Sequence, residues 1–313
     1  MEMKLSSDSP KVWDRIKRFL KTPYMLVVPA LIFYLLFWAY PVFNAVKDMF
    51  TGVGGGFTLS NITLLFQEAL FWEALLNTLV FAFVSIVIQF ILALLLALLI
   101  NRKFKGSGIF LFLMMLPMAI PIAAVGIIWN TGLTEFGWIN SILENTGLQW
   151  LLEALKITDG PIVWTGVKGM QAVMFLVVVD TWTVLPSVMI IILAGLQNLN
   201  KEYQEAALVF GATKKQTVTD IIIPIIKPTI ITSLLLRIIS GVQVWLISVM
   251  IFGHSNVPFL VERIVYYQKN FFSDELLVKI AIGYSILVVL IVMTIATIFL
   301  RVSRKSERSM NNA

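Results

Sequence analysis

Apolar residues along this chain fall in long blocks instead of recurring every three or four positions. A bilayer core about 30 Å thick requires roughly 20 apolar residues per helix. Runs of that size occur at about 24–43, 74–100, 109–130, 171–196, 229–252 and 277–300. They are too long and too uniformly apolar to be single faces of soluble amphipathic helices. The pattern predicts an all-α integral membrane protein with six transmembrane helices. The runs take up nearly half of the chain, which leaves no room for a soluble domain of ordinary size. The predicted organisation is a basic, amphipathic segment over 1–22, a membrane domain over 23–301 and a basic tail over 302–313.

Proline and glycine punctuate this pattern. Pro117, Pro121 and Gly126 fall within the third run and Pro186 within the fourth, and each predicts an interruption. Proline removes a backbone donor, and in lipid the freed carbonyls must be satisfied by neighbouring helices or by water in a cavity. Such breaks accompany a transport path between helices, but a packing kink has the same signature. The polar stretch over 131–170 contains Glu135-Phe-Gly-Trp-Ile-Asn140, Gly147 and Asp159-Gly-Pro161. It predicts short helices packed across one face of the membrane domain.

Charge placement orients the spans. Lys4, Lys11, Arg15, Lys17, Arg18, Lys21, Arg102, Lys103, Lys105, Lys201, Lys214, Lys215, Arg301, Arg304, Lys305 and Arg308 all fall on one side. Lys47, Lys156, Arg263 and Lys269 fall on the other. Cytoplasmic loops carry the excess of Lys and Arg, so both termini are expected in the cytoplasm. The run Tyr24–Phe43 exceeds the length of a signal-peptide core and is expected to remain as the first span. Before it, Val12, Trp13, Ile16, Phe19 and Leu20 alternate with basic residues. That composition suits a helix lying in the membrane interface, and a disordered basic tail equally.

Composition removes several chemistries. The charged fraction is 13% and the formal net charge +6, but the basic residues sit on loops and form no continuous patch for nucleic acid. With no cysteine, disulfides and thiolate metal sites are excluded, and His254, the single histidine, cannot make a histidine cluster. No metal site is expected. The glycine-rich stretch Thr51-Gly-Val-Gly-Gly-Gly56 is not a phosphate-binding loop, because G-x-x-x-x-G-K-[ST] occurs nowhere in the chain. Neither HExxH nor GxSxG occurs, and no catalytic residues are expected.

The most informative segment lies between the fourth and fifth runs, over 197–224. Asn200 suits an N-cap; Tyr203, Ala206, Ala207 and Phe210 then recur at helical spacing; and Gly211 suits a helix end. Thr213 and Gln216 stand at capping-box spacing for a second short helix, and Pro224 and Pro228 mark the return to the membrane. From these residues alone, the segment is an amphipathic hairpin.

Glu205-Ala206-Ala207, three residues, Gly211, nine residues and then Ile221-x-Ile223-Pro224 resembles the signature cytoplasmic loop of binding-protein-dependent ABC importers. Ile223 occupies a position at which the family has leucine. Further likeness runs from about Tyr24 to Arg301: Pro23-Tyr-Met-Leu-Val-Val-Pro29, Tyr40-Pro41, Asn77-Thr78, Gly137-Trp-Ile-Asn140, Asp180-Thr-Trp182 with Pro186, and Ala194-Gly-Leu-Gln197. These are similar to the carbohydrate-uptake branch. The chain departs from that branch at Phe210, where aspartate is typical, and at Gly253-His-Ser-Asn-Val-Pro258, where a Gly-Gly-Pro turn is typical.

The resemblance implies a type I ABC importer permease in the plasma membrane of a prokaryote. Its partners would be two ATP-binding cassette subunits, a second permease subunit and an extracytoplasmic solute-binding protein, with lipid around the spans. ATP and magnesium would be bound by the partner subunits, and the chain itself would carry no cofactor. Glu205, Ala206, Ala207, Gly211, Ile221 and Pro224 would form the loop that docks on the ATPase.

A sugar path needs hydrogen-bonding groups and aromatic faces. Intramembrane polar and aromatic residues that meet this need are Asp180, Trp182, Gln243, Trp245 and Tyr284. Two other roles compete: Trp129 fits an interfacial aromatic belt, and Asp180 fits a partner for Arg237, since an unpaired buried charge is expensive. The competing functions are a permease for a non-carbohydrate solute and an ion-coupled secondary transporter, which needs no docking loop.

Overall fold

The computed structural model describes residues 23–311 apart from 53, 156, 157, 159 and 272. The amphipathic segment expected over 11–20 therefore lies outside the described residues. Among the described residues the chain is helical, with one isolated β-bridge between Thr51 and Phe57. It divides into two compact units, the first ending at Asn61 and the second beginning at Ile62.

In the first unit α1 (Met25–Met49) is long and apolar enough to cross a membrane. Its middle widens into a π-type turn over Leu35–Ala39, and Pro41 follows in the first turn of Tyr40–Met49. Pro41 lacks the N–H of a helix interior, and the widened turn sits directly before it. The loop after α1 is closed by Asn61, whose side-chain amide donates to the carbonyls of Met49 (2.9 Å) and Thr51 (3.1 Å).

The second unit begins with α2 (Ser60–Gln67), most of which it contains, and α3 (Phe71–Asn101). The buried residues of α3 include Ala74, Thr78, Ala82, Ser85, Gln89, Ala93 and Ala97. They recur every three or four positions and are mostly small, which lets a neighbouring helix approach closely without a hydrophobic driving force. That neighbour is α8 (Gly169–Gln197), which packs along α3 more extensively than any other pair of helices. In the most apolar window of α8, 67% is buried, against 28% for α3 and 33% for the last helix. α8 is therefore the centre of this unit.

The third apolar run is broken. α4 (Ser107–Ala119) and α5 (Ile122–Gly132) meet at 94°. Pro121 is the cause, because a proline drives the preceding residue out of helical conformation, and Ile120 is extended at φ −84°, ψ 128°. The other expected interruptions differ. Gly126 lies inside α5, where its missing side chain makes room for a neighbour: a Cβ there would stand 2.3 Å from Met250 Cβ. Pro186 does not interrupt α8, which continues to Gln197 with Pro186 buried among its neighbours. The stretch after α5 forms α6 (Trp138–Asn145) and α7 (Leu148–Ala154), the short helices expected there.

After α8 come α9 (Lys201–Val209) and α10 (Lys214–Ile225). A 70° bend leads into α11 (Lys227–Val242), and a break over Gln243–Trp245 precedes α12 (Leu246–Phe252). α13 (Leu260–Asn270) then leads to α14 (Glu275–Asn311), whose helix continues through most of the segment read as a basic tail. Four helices are long enough to cross a membrane alone, or up to six if each bent pair is one span.

Candidate functional site

The hairpin between α8 and α11 is built by local hydrogen bonds. Asn200 caps α9 by accepting from the Glu202 backbone N–H (3.2 Å). At the other end Gly211 adopts φ +81°, a conformation that glycine enters without a Cβ penalty. The Ala212 N–H then donates to the Ala207 carbonyl (2.9 Å) and the Gly211 N–H to the Leu208 carbonyl (3.0 Å), the paired bonds of a Schellman turn. Thr213 opens α10 with the expected capping box: its hydroxyl accepts from the Gln216 N–H while the Gln216 side chain accepts from the Thr213 N–H.

The hairpin therefore has a fixed shape. Glu205 and Ala206 are exposed, Ala207 is buried, and Ile221 and Pro224 are half-buried in the return toward α11. A cavity of about 330 Å³ separates α9 and α10 from the end of α3, lined by Leu98, Asn101, Arg102, Leu208, Lys214 and Ile222. The basic α3–α4 connection and the hairpin thus lie at the same end of the second unit.

Between the spans, Asp180 is paired with Arg237. The guanidinium donates to the Asp180 carboxylate, to Gln89 Oε1, to Ser85 Oγ (2.9 Å) and to Ser240 Oγ (3.1 Å). Gln89 Nε2 donates to Asp180 Oδ2 (2.7 Å). Three helices, α3, α8 and α11, are thereby joined through one buried polar network. Gln89 and Ser85 were not among the residues expected to carry function. They stand four apart on the same face of an otherwise apolar run, which was the available signal.

The remaining path candidates separate into two groups. Trp182, one-third exposed, packs edge-on against Trp129 with ring centroids 5.8 Å apart. Trp129 also meets Trp138 (5.5 Å) and Phe175 (5.8 Å), so it is the hub of an aromatic cluster and not merely part of a belt. A cavity of about 270 Å³ is lined by Trp129, Trp138, Trp164 and Phe175, and the buried Trp129 Nε1 has no hydrogen-bond acceptor among the described residues. Gln243 is exposed and Trp245 half-buried at the α11–α12 break. There, backbone groups are released from helical bonding, as they are where irregular backbone lines a cavity.

Tyr284 stands elsewhere. It is fully buried, and its hydroxyl donates to Glu68 Oε2 (2.6 Å). Glu68 Oε1 accepts from Arg263 Nη2 (3.0 Å) and from the Tyr267 hydroxyl (3.0 Å). Burial pushes the Tyr267 hydroxyl above its ordinary range. His254 has Nδ1 3.1 Å from Glu262 Oε1. No local pattern signals this cluster, because Glu68 lies far along the chain from its partners.

Four to six apolar stretches long enough to cross a membrane, with a polar hairpin between two of them, define the class as a multi-pass membrane protein. The family model for the binding-protein-dependent transport system inner membrane component matches residues 89–312, and the chain belongs to that family. It is 29% identical over 235 residues to a trehalose/maltose transport system permease of Thermococcus litoralis, covering 72% of this chain and 75% of the relative. An arabinooligosaccharides transport system permease of Bacillus subtilis is 29% identical over 293 residues, covering 91% and 90%. Among solved structures, a bacterial ABC transporter that imports the acidic polysaccharide alginate matches with a TM-score of 0.76 at 23% identity, over 94% of this chain and 98% of that one. That last likeness establishes the fold, which is that of an ABC importer permease.

Proposed function

We propose that this chain is one permease subunit of an ATP-driven importer for a sugar or oligosaccharide. In this reading a solute-binding protein delivers the substrate on the outer side, and a second permease subunit completes the path. Two separate ATP-binding cassette subunits dock on the 197–224 hairpin, and ATP and magnesium belong to them. The protein is placed in the inner membrane of a prokaryote with both termini cytoplasmic, in accord with the distribution of Lys and Arg.

The observation that carries this reading is the hairpin itself. Its two caps and its Schellman turn hold Glu205, Ala206 and Gly211 on a fixed, outward-facing scaffold. A preorganised surface loses little entropy on docking. The sugar class is supported by the named transport activities of the relatives and by Trp182 and Gln243 beside interrupted or aromatic-lined stretches of the spans. Asp180 and Tyr284 are assigned structural roles instead, since each bonds a buried partner.

The test is Gly211→Val. A β-branched residue is strongly disfavoured at positive φ, whereas the space around the glycine is open. The variant is expected to insert normally and to lose the ATPase subunits when the complex is purified through the permease. Full retention of those subunits with normal uptake would overturn the coupling assignment.

A further inference from the structure

The side of the hairpin that faces α3 carries charge that the coupling role does not use. The cavity of about 330 Å³ between them has Arg102, from the end of α3, on one wall and Lys214, from α10, on the other. Neither cation forms an ion pair among the described residues, and no carboxylate lines the cavity. The acidic residues of the hairpin, Glu202, Glu205 and Asp220, are exposed and stand outside this lining. Asn101, half-buried beside Arg102, adds a side-chain amide.

Lys214 also runs against local electrostatics. Thr213 caps α10, so Lys214 and Lys215 open that helix. A helix N-terminus carries partial positive charge and favours acidic residues in its first turn. Two lysines there, with Arg102 across the cavity, repel one another unless an anion sits between them. The rest of the lining is apolar: Leu98 comes from α3, and Leu208, Val218 and Ile222 come from the hairpin. Leu208 is 56% exposed. A small soluble anion would satisfy the cations but leave these side chains against water, at a cost that grows with their area. A molecule with an anionic head and an apolar body satisfies both halves of the lining.

We infer that this cavity binds the head of an anionic phospholipid from the cytoplasmic leaflet. Arg102 and Lys214 hold the phosphate through charge-assisted hydrogen bonds, and the four apolar side chains pack on the glycerol and the first acyl carbons. Basic pockets beside transmembrane helices at the cytoplasmic surface have this chemistry. The volume is at the small end of ligand pockets, which span about 300–1,000 Å³, so the head enters and the chains stay in the bilayer. One wall is the end of a span and the other is the hairpin, so the bound lipid ties the two together. The inference rests on the cytoplasmic placement of the hairpin proposed above, and adds a ligand to its inner side.

The experiment uses the whole complex in phosphatidylcholine nanodiscs, into which phosphatidylglycerol is titrated, with the retained lipid counted by native mass spectrometry. Arg102→Gln combined with Lys214→Gln is expected to weaken phosphatidylglycerol retention about 10-fold or more. Lys105→Gln combined with Lys215→Gln removes the same charge outside the lining. It should stay within about 3-fold of wild type, since exposed charges at a distance are screened. All four residues are exposed, so membrane insertion and permease yield are unchanged. In a parallel arm, p-benzoylphenylalanine replaces Leu208, and the photo-cross-link is expected on phospholipid.

Equal losses in the two double variants would mean general attraction to an anionic surface and would overturn the site. Displacement of phosphatidylglycerol by inorganic phosphate would make it a site for a soluble anion and overturn the lipid assignment. A cross-link from position 208 to an ATPase subunit would place this wall in the docking interface, with the same consequence. Labelling of a cysteine at position 214 in intact cells would remove the cytoplasmic placement and the inference with it. Cytoplasmic labelling, retained ATPase subunits and unchanged lipid binding in the Arg102→Gln, Lys214→Gln variant would remove the lipid site alone.

Discussion

The Asp180 carboxylate on α8 and the Arg237 guanidinium on α11 form an ion pair buried on both sides, with 9% and 3% of their side chains exposed. Taking two charges out of water is expensive, and only close pairing with further hydrogen bonds offsets it. Gln89, Ser85 and Ser240 supply those bonds. The pair therefore acts as a joint between α8, α11 and α3, with Asp180 Oδ2 accepting from both Arg237 and Gln89.

Removing one partner leaves the other charge buried and alone. Asp180→Asn is expected to destabilise the protein by about 3–5 kcal/mol, read as a lower membrane level and a lower unfolding temperature in detergent. Combining Asp180→Asn with Arg237→Met removes the lone charge and should restore much of the loss, because neighbouring sites are not additive. A double variant as unstable as the worse single variant would contradict the pairing account.

How far these features were legible in the sequence depends on how local they are. The hairpin was readable almost bond by bond, since Asn200, Gly211, Thr213 and Gln216 act on backbone groups within a few positions. The first, second, fourth and sixth spans were legible from apolar length alone, whereas the third and fifth runs proved to be broken. Pro121 was correctly read as an interruption, but Pro186 was not one, because tertiary packing decides whether a helix tolerates its missing donor. The break at Gln243–Trp245 carries no proline or glycine and so left no mark. Tyr284 was placed on the solute path by its polarity, and its actual partner, Glu68, lies 216 positions away.

Tyr284→Phe separates those two roles. The change removes one hydrogen bond to Glu68, which still accepts from Arg263, Tyr267 and the Leu70 N–H. A loss of about 1–3 kcal/mol of stability is expected, measurable by thermal unfolding. The apparent KM for uptake should stay at the wild-type value. A large rise in KM with unchanged stability would return Tyr284 to the path.

Trp182 and Gln243 are expected to behave in the opposite way. Trp182→Ala should raise the uptake KM about 3–10-fold, the size of a lost aromatic contact, with little change in membrane level. Gln243→Ala should act in the same direction through a lost hydrogen bond. Unchanged uptake kinetics in both variants would remove the α11–α12 break and the Trp129–Trp182 contact from the path.

Orientation can be read with single cysteines, since the chain contains none. Cysteine at Thr146 or Ser255 should react with an impermeant thiol reagent in intact cells. Cysteine at Lys103 or Lys214 should react only after permeabilisation. Labelling at position 214 in intact cells would reverse the assignment of the hairpin to the cytoplasm.

The central claim is that solute movement through this chain is driven by ATP hydrolysed on other subunits. The most direct measurement is uptake of labelled oligosaccharide by proteoliposomes that contain the purified complex, with binding protein outside and ATP sealed inside. The account predicts uptake that requires internal ATP, persists when ion gradients are collapsed, and is abolished by Gly211→Val. Uptake that proceeds without ATP and follows an imposed ion gradient would contradict it.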